Sequence, residues 1–273
     1  MEQKERLDIL VERFKEDSVQ YRNLEVGESE EEKKVALRSL MNIRMPRKME
    51  TSTVLIQDDY LQERMRKIGE VSVEDIPTIK EQGSNHSFGS KLSIWQGDIT
   101  RIGADAIVNA ANSQMLGCFI PMHTCIDNCI HTYAGIQLRA ECSQKMNQLR
   151  ERFGPGYEQP TADPMLTEGY NLPAKKVVHV VGPIVDGFLT KEKEQQLADC
   201  YTNTLDMCLD NGLRSVAFCC ISTGVFHFPN DRAAAIAVKT VCDWLETHGE
   251  QLDRVVFNVF KDEDKKYYEK ELF

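Results

Sequence analysis

The sequence has neither a long apolar run nor an excess of basic charge. No apolar stretch approaches the roughly 18 residues that a membrane-spanning helix needs. Lys and Arg together number 33 against 43 Asp and Glu, which gives a net charge of −10. Proteins that bind nucleic acid gain affinity from clustered Lys and Arg. We therefore expect neither a membrane nor a nucleic acid among the partners of this chain.

The nine cysteines do not form a closed set of disulfides, because their number is odd. Ten of the first twenty residues are charged, whereas a secretory signal needs an apolar stretch of about 7–15 residues near its start. Both observations favour a cytoplasmic location, where thiols stay reduced. Given the negative net charge, an anionic ligand must be held by backbone amides and helix ends, or by a metal ion.

Residues 1–88 predict a helical N-terminal extension. Apolar residues recur there at spacings of three and four, as on one face of a helix: Leu7, Leu10, Val11 and Phe14. Ser29 followed by Glu32 is typical of a capping box, which predicts that a helix begins there. A third helix is predicted over 54–68, and the turn residues at 83–87 indicate a linker. We expect this extension to cover one face of the following domain rather than to dock a target.

Residues 89–273 predict an α/β domain, because apolar, β-branched segments alternate with helical patterns. The predicted strands are 91–95, 105–108, 176–181, 215–221 and 254–260. The predicted helices lie near 127–149, 192–211, 230–247 and 261–271. This alternation indicates a largely parallel sheet with helices on both faces. In such a fold the ligand binds beyond the carboxyl ends of the strands, in the loops that lead into helices.

The loop after the second of these strands holds the densest group of reactive side chains. Cys118, His123 and Cys125 stand at the spacing C-x4-H-x-C. Thiolate and imidazole are ligands that zinc favours, and three protein ligands leave one tetrahedral position open, as in catalytic zinc sites. Packing of small side chains explains the spacing equally well. Cys129 or His131, both in the next predicted helix, would complete a structural site with four ligands.

Three further positions follow strands or begin helices. Asp127 either caps the helix that it begins or holds and activates a water molecule beside the metal. Segment 222–226 is either an ordinary strand-to-helix connection or a turn whose backbone N–H groups suit a phosphate. Asp98 either forms a turn or accepts the exocyclic amine of an adenine.

Together these segments resemble the signature of MacroD-type macrodomains, which implies a three-layer α/β/α domain with a central mixed, mostly parallel sheet. The matching segments are 97–100, 105–113, 127–135, 169–175, 178–183 and 222–226. MacroD-type proteins usually carry a run of glycines just before the aspartate. Here the loop between Cys118 and Cys125 is instead similar to the zinc-dependent branch of the family. That branch is linked to sirtuin-like ADP-ribosyltransferases, and its members also carry a helical N-terminal extension.

The resemblance implies one zinc ion per chain, held by Cys118, His123 and Cys125. It also implies that ADP-ribose binds with its adenine at Asp98 and Ile99 and its diphosphate at Ser222, Thr223, Gly224, Val225 and Phe226. Phe226 would also pack on the distal ribose, which lies beside Asn112 and Asp127. We expect Asn112 to fix this ribose and Asp127 to position or deprotonate the attacking water, so these two are the predicted catalytic residues.

The sequence therefore predicts a zinc-dependent hydrolase that removes mono-ADP-ribose from modified protein side chains, a glycosidase-type reaction. A reader module that binds ADP-ribose without cleaving it would use the same pocket, as would a deacetylase of O-acetyl-ADP-ribose. An interaction protein with structural zinc is a further alternative. Asn112, Asp127 and an open metal site favour the enzyme, because a reader does not need such a site. As protein partners, the resemblance implies a lipoyl-carrier protein and a sirtuin-like ADP-ribosyltransferase.

Overall fold

The chain forms a six-stranded sheet flanked by helices, with three more helices at its N-terminus. The computed structural model describes all 273 residues. The helices are α1 (Gln3–Asp17), α2 (Glu30–Ile43), α3 (Thr51–Ile68), α4 (Ile126–Ala134), α5 (Ile136–Phe153), α6 (Lys191–Asp210), α7 (Asn230–His248) and α8 (Asp262–Leu272). The strands are β1 (Val71–Ser72), β2 (Leu92–Gln96), β3 (Ile102–Gly103), β4 (Ala106–Ala111), β5 (Met165–Glu168), β6 (Lys176–Val181), β7 (Ser215–Phe218) and β8 (Arg254–Val259). No helix combines the length and the apolar character that a membrane span requires.

The three N-terminal helices form where the sequence predicts them. Helix α1 buries its predicted apolar face: Leu7, Leu10, Val11 and Phe14. The predicted capping box begins α2, where Ser29 Oγ accepts the Glu32 N–H at 3.3 Å and Glu32 Oε2 accepts the Ser29 N–H at 3.2 Å. Two apolar residues of these helices, Val35 in α2 and Leu55 in α3, are nevertheless 47% and 61% exposed. In α2 the buried stripe is centred on Leu37, Leu40 and Met41, which turns Val35 to solvent.

The buried apolar side chains fall into two clusters. The smaller cluster contains nine residues of α1, α2 and α3. The larger contains 53 residues and includes the sheet, the later helices and the segment from Val73 to Ile79. Along the chain, the smaller cluster ends at Leu61 and the larger begins at Val73. The boundary at residues 88 and 89 remains a prediction about domain organisation.

The strand order in the sheet is β2-β8-β7-β4-β6-β5. All neighbouring pairs are parallel except β5 with β6, which confirms the mixed, mostly parallel sheet. The chain crosses from β4 to β6 through α4 and α5, then returns past β4 to β7 through α6. Because such crossovers are right-handed, opposite directions place the helices on opposite faces. Strand order therefore reverses at β4, and this reversal opens a crevice at the carboxyl ends of the strands.

The structure differs from the predicted elements at three places. The helix predicted over 127–149 is broken into α4 and α5 at Gly135, whose φ of +97° no helix accommodates. Strand β5 was not predicted, since it has only four residues and lies at the sheet edge. A short parallel pair, β1 with β3, was also not predicted.

Candidate active site

Three loops meet at the carboxyl ends of the central strands. Strands β7, β4 and β6 are neighbours in that order, and their loops carry Ser222, Asn112 and Gly182 respectively. The loop after β2, which carries Asp98, opens at the same edge because β2 runs parallel to β8 and β8 to β7. The predicted site residues therefore lie along one edge of the sheet, where a doubly wound fold binds its ligand.

Asp127 is buried in the first turn of α4 and accepts hydrogen bonds from two asparagines of the β4 segment. Asn109 Nδ2 donates to Asp127 Oδ1 at 2.8 Å, and Asn112 Nδ2 donates to Asp127 Oδ2 at 3.2 Å. Asp127 is not the cap of α4, since that residue is Cys125, whose Sγ accepts the Asn128 N–H at 3.4 Å, but its place in the first turn does complement the helix dipole. The predicted pair of Asn112 and Asp127 is thus in direct contact.

Burial raises the pKa of Asp127 to about 6, against the opposing effects of Asn109, Arg139 and Asn112. Desolvation disfavours the charged carboxylate, whereas the two amide donors favour it. A carboxyl group whose pKa lies near the working pH can both accept and return a proton. Asp127 is therefore suited to proton transfer at neutral pH.

Cys118, His123 and Cys125 come together in the loop between β4 and α4. Their ligand atoms all lie within 4.8 Å of one another, with Cys118 Sγ 3.5 Å from His123 Nδ1. Burial, together with the neighbouring Cys118, raises the pKa of the Cys125 thiol to about 12. A half-buried pair of thiols with an imidazole is a donor set that zinc favours, and a divalent cation would stabilise the thiolates. The residues present therefore fit a zinc ion with three protein ligands.

Cys129 and His131 lie outside this cluster. Cys129 Sγ faces the Arg38 guanidinium, with 3.8 Å between Sγ and Nη2. His131 is part of a second, fully buried group with Cys142 and His179. Both ring nitrogens of His179 are already engaged, Nδ1 with Asn109 Nδ2 at 3.0 Å and Nε2 with Thr167 Oγ1 at 2.9 Å. His179 thus supports Asp127 through Asn109, which contacts both, whereas the ring nitrogens of His131 have no hydrogen-bond partner and its Nε2 lies 3.6 Å from Asp127 Oδ1.

The segment 222–226 forms a tight loop with unpaired backbone donors. Ser222 has a φ of +65°, and its buried Oγ has no hydrogen-bond partner. The N–H groups of Gly224, Val225 and Phe226 donate to no group of the protein. The Phe226 carbonyl accepts the Val185 N–H at 2.8 Å, which ties this loop to the one after β6. A loop with free, outward N–H groups is suited to a phosphate.

Asp98 and Ile99 lie after β2, at the start of a short 3-10 helix. Asp98 Oδ1 accepts the Thr100 N–H at 3.0 Å and the Thr100 hydroxyl at 2.7 Å. The turn role is thus confirmed, but Oδ2 and the Ile99 N–H have no partner in the protein. One free acceptor beside one free donor suits the edge of an adenine ring.

The sequence interpretation missed two supporting residues. Asn109 lies in the matching segment 105–113, but its contact with Asp127 was not predicted, although a polar residue in a buried strand is a signal for such a contact. Gly182 was also not assigned to the site. A Cβ atom at Gly182 would lie 2.0 Å from Ser222 Oγ, so only glycine allows the two loops to approach this closely.

A six-stranded mixed sheet flanked by helices, with these loops at one edge, is the architecture of a macrodomain. The family model for the Macro domain matches residues 108–237. A crystal structure of a Trypanosoma brucei macrodomain in complex with ADP-ribose is similar, with a TM-score of 0.65 and 29% identity. The match covers 85% of this chain and 94% of that chain.

Similarity extends over nearly the whole chain in two relatives, each named protein-ADP-ribose hydrolase. The relative from Treponema medium is 44% identical over 270 residues, which is 99% of either chain. The relative from Staphylococcus aureus strain MSSA476 is 42% identical over 237 residues, or 86% of this chain and 83% of that one. The chain therefore belongs to the macrodomain family.

Proposed function

We propose that this macrodomain is a zinc-dependent hydrolase that removes mono-ADP-ribose from modified protein side chains. The observation that carries the proposal is the arrangement of one loop, which begins at Asn112, contains the Cys118, His123 and Cys125 cluster, and leads into Asp127. A buried acid with a pKa near neutrality therefore lies beside a donor set that fits zinc. The names of the relatives and the ADP-ribose bound to the Trypanosoma macrodomain support the same substrate class.

ADP-ribose would lie along the edge of the sheet. The free oxygen of Asp98 accepts the adenine amine, and the Ile99 N–H donates to a ring nitrogen. The unpaired amides of 222–226 hold the diphosphate, which suits a protein with a net charge of −10 because local donors replace a basic surface. Phe226 packs on the distal ribose, and Asn112 fixes a hydroxyl of that sugar.

In the reaction, water adds its oxygen to C1 of the distal ribose while the bond from that carbon to the modified side chain breaks. Asp127 positions the water and takes its proton, which is then returned to the departing side-chain atom. Asn109 and Asn112 keep both carboxylate oxygens of Asp127 in place. When bound by Cys118, His123 and Cys125, zinc supplies a Lewis acid with one coordination position open.

Single-turnover release of ADP-ribose from a mono-ADP-ribosylated protein tests this function. Substrates carrying Ser-, Asp/Glu- and Arg-linked ADP-ribose should be compared, with the zinc content measured before and after chelation. We expect one zinc per chain and release that stops on chelation and returns with zinc. Asp127→Asn should slow release by about 10²–10⁴-fold, while the exposed Asp163→Asn should leave it unchanged.

The alternatives give different results in the same experiment. Tight binding of ADP-ribose without release from any linkage would indicate a reader, and release of acetate alone from O-acetyl-ADP-ribose would indicate the deacetylase. Full turnover by Asp127→Asn would remove this residue from catalysis. The cytoplasmic location, the lipoyl-carrier protein and the sirtuin-like ADP-ribosyltransferase stay predictions, to be tested by isolating the protein from its native cells with its partners.

A further inference from the structure

Helix α2 of the N-terminal extension contacts the loop that carries the zinc-ligand cluster. The backbone N–H of Met122 donates to Asn42 Oδ1 at 3.0 Å. Arg38 Nη2 donates to the carbonyl of His123 at 2.8 Å. Two side chains of the extension therefore hold two consecutive residues of the loop, and the second of these is a ligand of the cluster.

The same two side chains are fixed by helix α4 on the other side of the loop. Asn42 Nδ2 donates to Thr132 Oγ1 at 2.8 Å, and Arg38 Nη2 also donates to Asn128 Oδ1 at 3.1 Å. Asn128 Nδ2 in turn donates to the carbonyls of Cys118 at 3.3 Å and Ile120 at 3.0 Å. Asn42 and Asn128 are 1% and 0% exposed, so these hydrogen bonds are shielded from water.

Arg139 fastens the end of α2 to the same loop. Its Nη1 donates to three carbonyls at the end of α2, those of Met41, Asn42 and Arg44, at 2.7–3.1 Å. Its Nη2 reaches the carbonyl of Cys118 at 3.4 Å. Because the last carbonyls of a helix have no partner within it, this buried arginine both completes α2 and joins it to the first ligand of the cluster.

The loop conformation needs such support. Met122 has a φ of +58°, which lies in the left-handed region that residues other than glycine rarely adopt. A residue keeps this conformation only where its surroundings determine it. Asn42 accepts the N–H of this residue, which directly precedes His123, so the orientation of the imidazole depends on a residue 80 positions earlier in the chain.

We propose that Arg38 and Asn42 are positioning residues of the zinc site, so that the extension is a part of the site and not only a cover for the domain. This inference rests on the proposed function, since it concerns the same three ligands. Residues that orient metal ligands from outside typically contribute about 10–100-fold to metal affinity. Loss of either side chain should therefore weaken zinc binding in a protein that remains folded.

The test measures the zinc dissociation constant of the full chain by competition with a chromophoric chelator, with circular dichroism of each variant to verify its fold. We expect Asn42→Ala and Arg38→Met to weaken zinc binding by about 10–100-fold. Arg38→Lys keeps a donor near the His123 carbonyl and should restore most of the affinity. Co²⁺ in place of zinc should give a visible spectrum that shifts in the two weakened variants, since it reports ligand geometry.

Gln57→Ala is the matched control. Gln57 lies on α3, is 1% exposed, and joins the extension to α5 by accepting the Ile136 N–H at 3.1 Å. It makes no contact with the loop, so its loss should leave zinc binding unchanged. Equal weakening by Gln57→Ala would overturn the inference, because it would show that any separation of the extension from the macrodomain weakens zinc binding. Unchanged zinc affinity in Asn42→Ala and Arg38→Met would also overturn it. Absence of zinc binding in the unsubstituted protein would instead overturn the proposed function, and this inference with it.

Discussion

The position of the Asp127 carboxylate depends on a chain of hydrogen-bonded side chains. Asn109 Nδ2 donates to Asp127 and lies 3.0 Å from His179 Nδ1. An amide nitrogen can only donate, so His179 Nδ1 is an acceptor and its proton is on Nε2, which donates to Thr167. This assignment makes the imidazole neutral, and it fixes the direction of the hydrogen bonds from His179 to Thr167 and from Asn109 to His179.

Neutral His179 predicts a loss of stability in acid. Burial lowers the pKa of His179 to about 3, and Lys145 adds to this effect. An unfolded chain binds the proton below about pH 6.5 but the folded state does not, so this stabilisation is complete above that pH and is lost as pH falls towards 3. The free energy of unfolding should decrease by as much as about 1.4 kcal/mol per pH unit in this range.

Urea unfolding of the unsubstituted protein and of His179→Gln, at pH 7.5 and 5.0, measures this contribution. Gln keeps one acceptor and one donor, so it can still bond to Asn109 and Thr167. We expect a smaller loss of stability between the two pH values in the variant. His131, whose pKa is lowered by burial, and Asp127, whose pKa is raised, remain in both proteins, so their contributions cancel in the comparison. Equal losses would show that His179 takes up a proton in the folded state.

Gly117 is a second residue whose replacement has a definite expected cost. Its φ is +79°, and a Cβ atom there would lie 2.7 Å from the His131 ring. Gly212 has a φ of +66° with nothing near its Cβ position. Gly212→Ala should therefore cost only the left-handed strain, about 1–2 kcal/mol, whereas Gly117→Ala should cost a further ~1–3 kcal/mol from overpacking.

Chemical denaturation of both variants checks this difference. The Gly117 carbonyl also accepts from Asn112 Nδ2 at 3.2 Å, so Gly117→Ala should slow ADP-ribose release as well, while Gly212→Ala should not. Similar destabilisation in the two alanine variants would mean that the His131 ring moves aside without cost.

At the scale of secondary structure, elements with a strong local period were predictable from the sequence. The buried face of helix α1 was predicted from the spacing of its apolar residues, Leu7, Leu10, Val11 and Phe14. The start of α2 was predicted from the capping box at Ser29. Strand β5 has no such signal, because its four residues depend on pairing with β6. The break at Gly135 was also missed, since apolar residues continue at helical spacing on both sides of it.

The candidate site was predictable as a set of residues but not as an arrangement. Three candidate metal ligands, Cys118, His123 and Cys125, were predicted from their spacing. Their close approach was not, because it depends on Asn128, which donates hydrogen bonds to the carbonyls of Cys118 and Ile120. Contacts across long sequence separations carry no local signal at all. Arg38 lies 85 positions before His123, so the contribution of the extension appears only in the folded chain.

For the whole molecule, the two apolar clusters raise the question of whether the chain unfolds in one step. The cluster of α1, α2 and α3 contains only nine buried side chains, and units with so small a core are marginally stable alone. The extension is joined to the rest by buried polar contacts, including Asn42 with Thr132 and Gln57 with Ile136. It should therefore depend on the macrodomain for its fold.

We expect a single thermal transition in which far-UV circular dichroism and tryptophan fluorescence have the same midpoint. Trp95 and Trp244 both pack in or against the larger cluster and report only on the macrodomain, whereas circular dichroism also reports on α1–α3. Helix loss that precedes the fluorescence change would mean that the extension melts separately. In that case Arg38 and Asn42 would separate from the loop between β4 and α4 before the domain unfolds, and the proposed zinc binding should weaken with the first transition rather than the second.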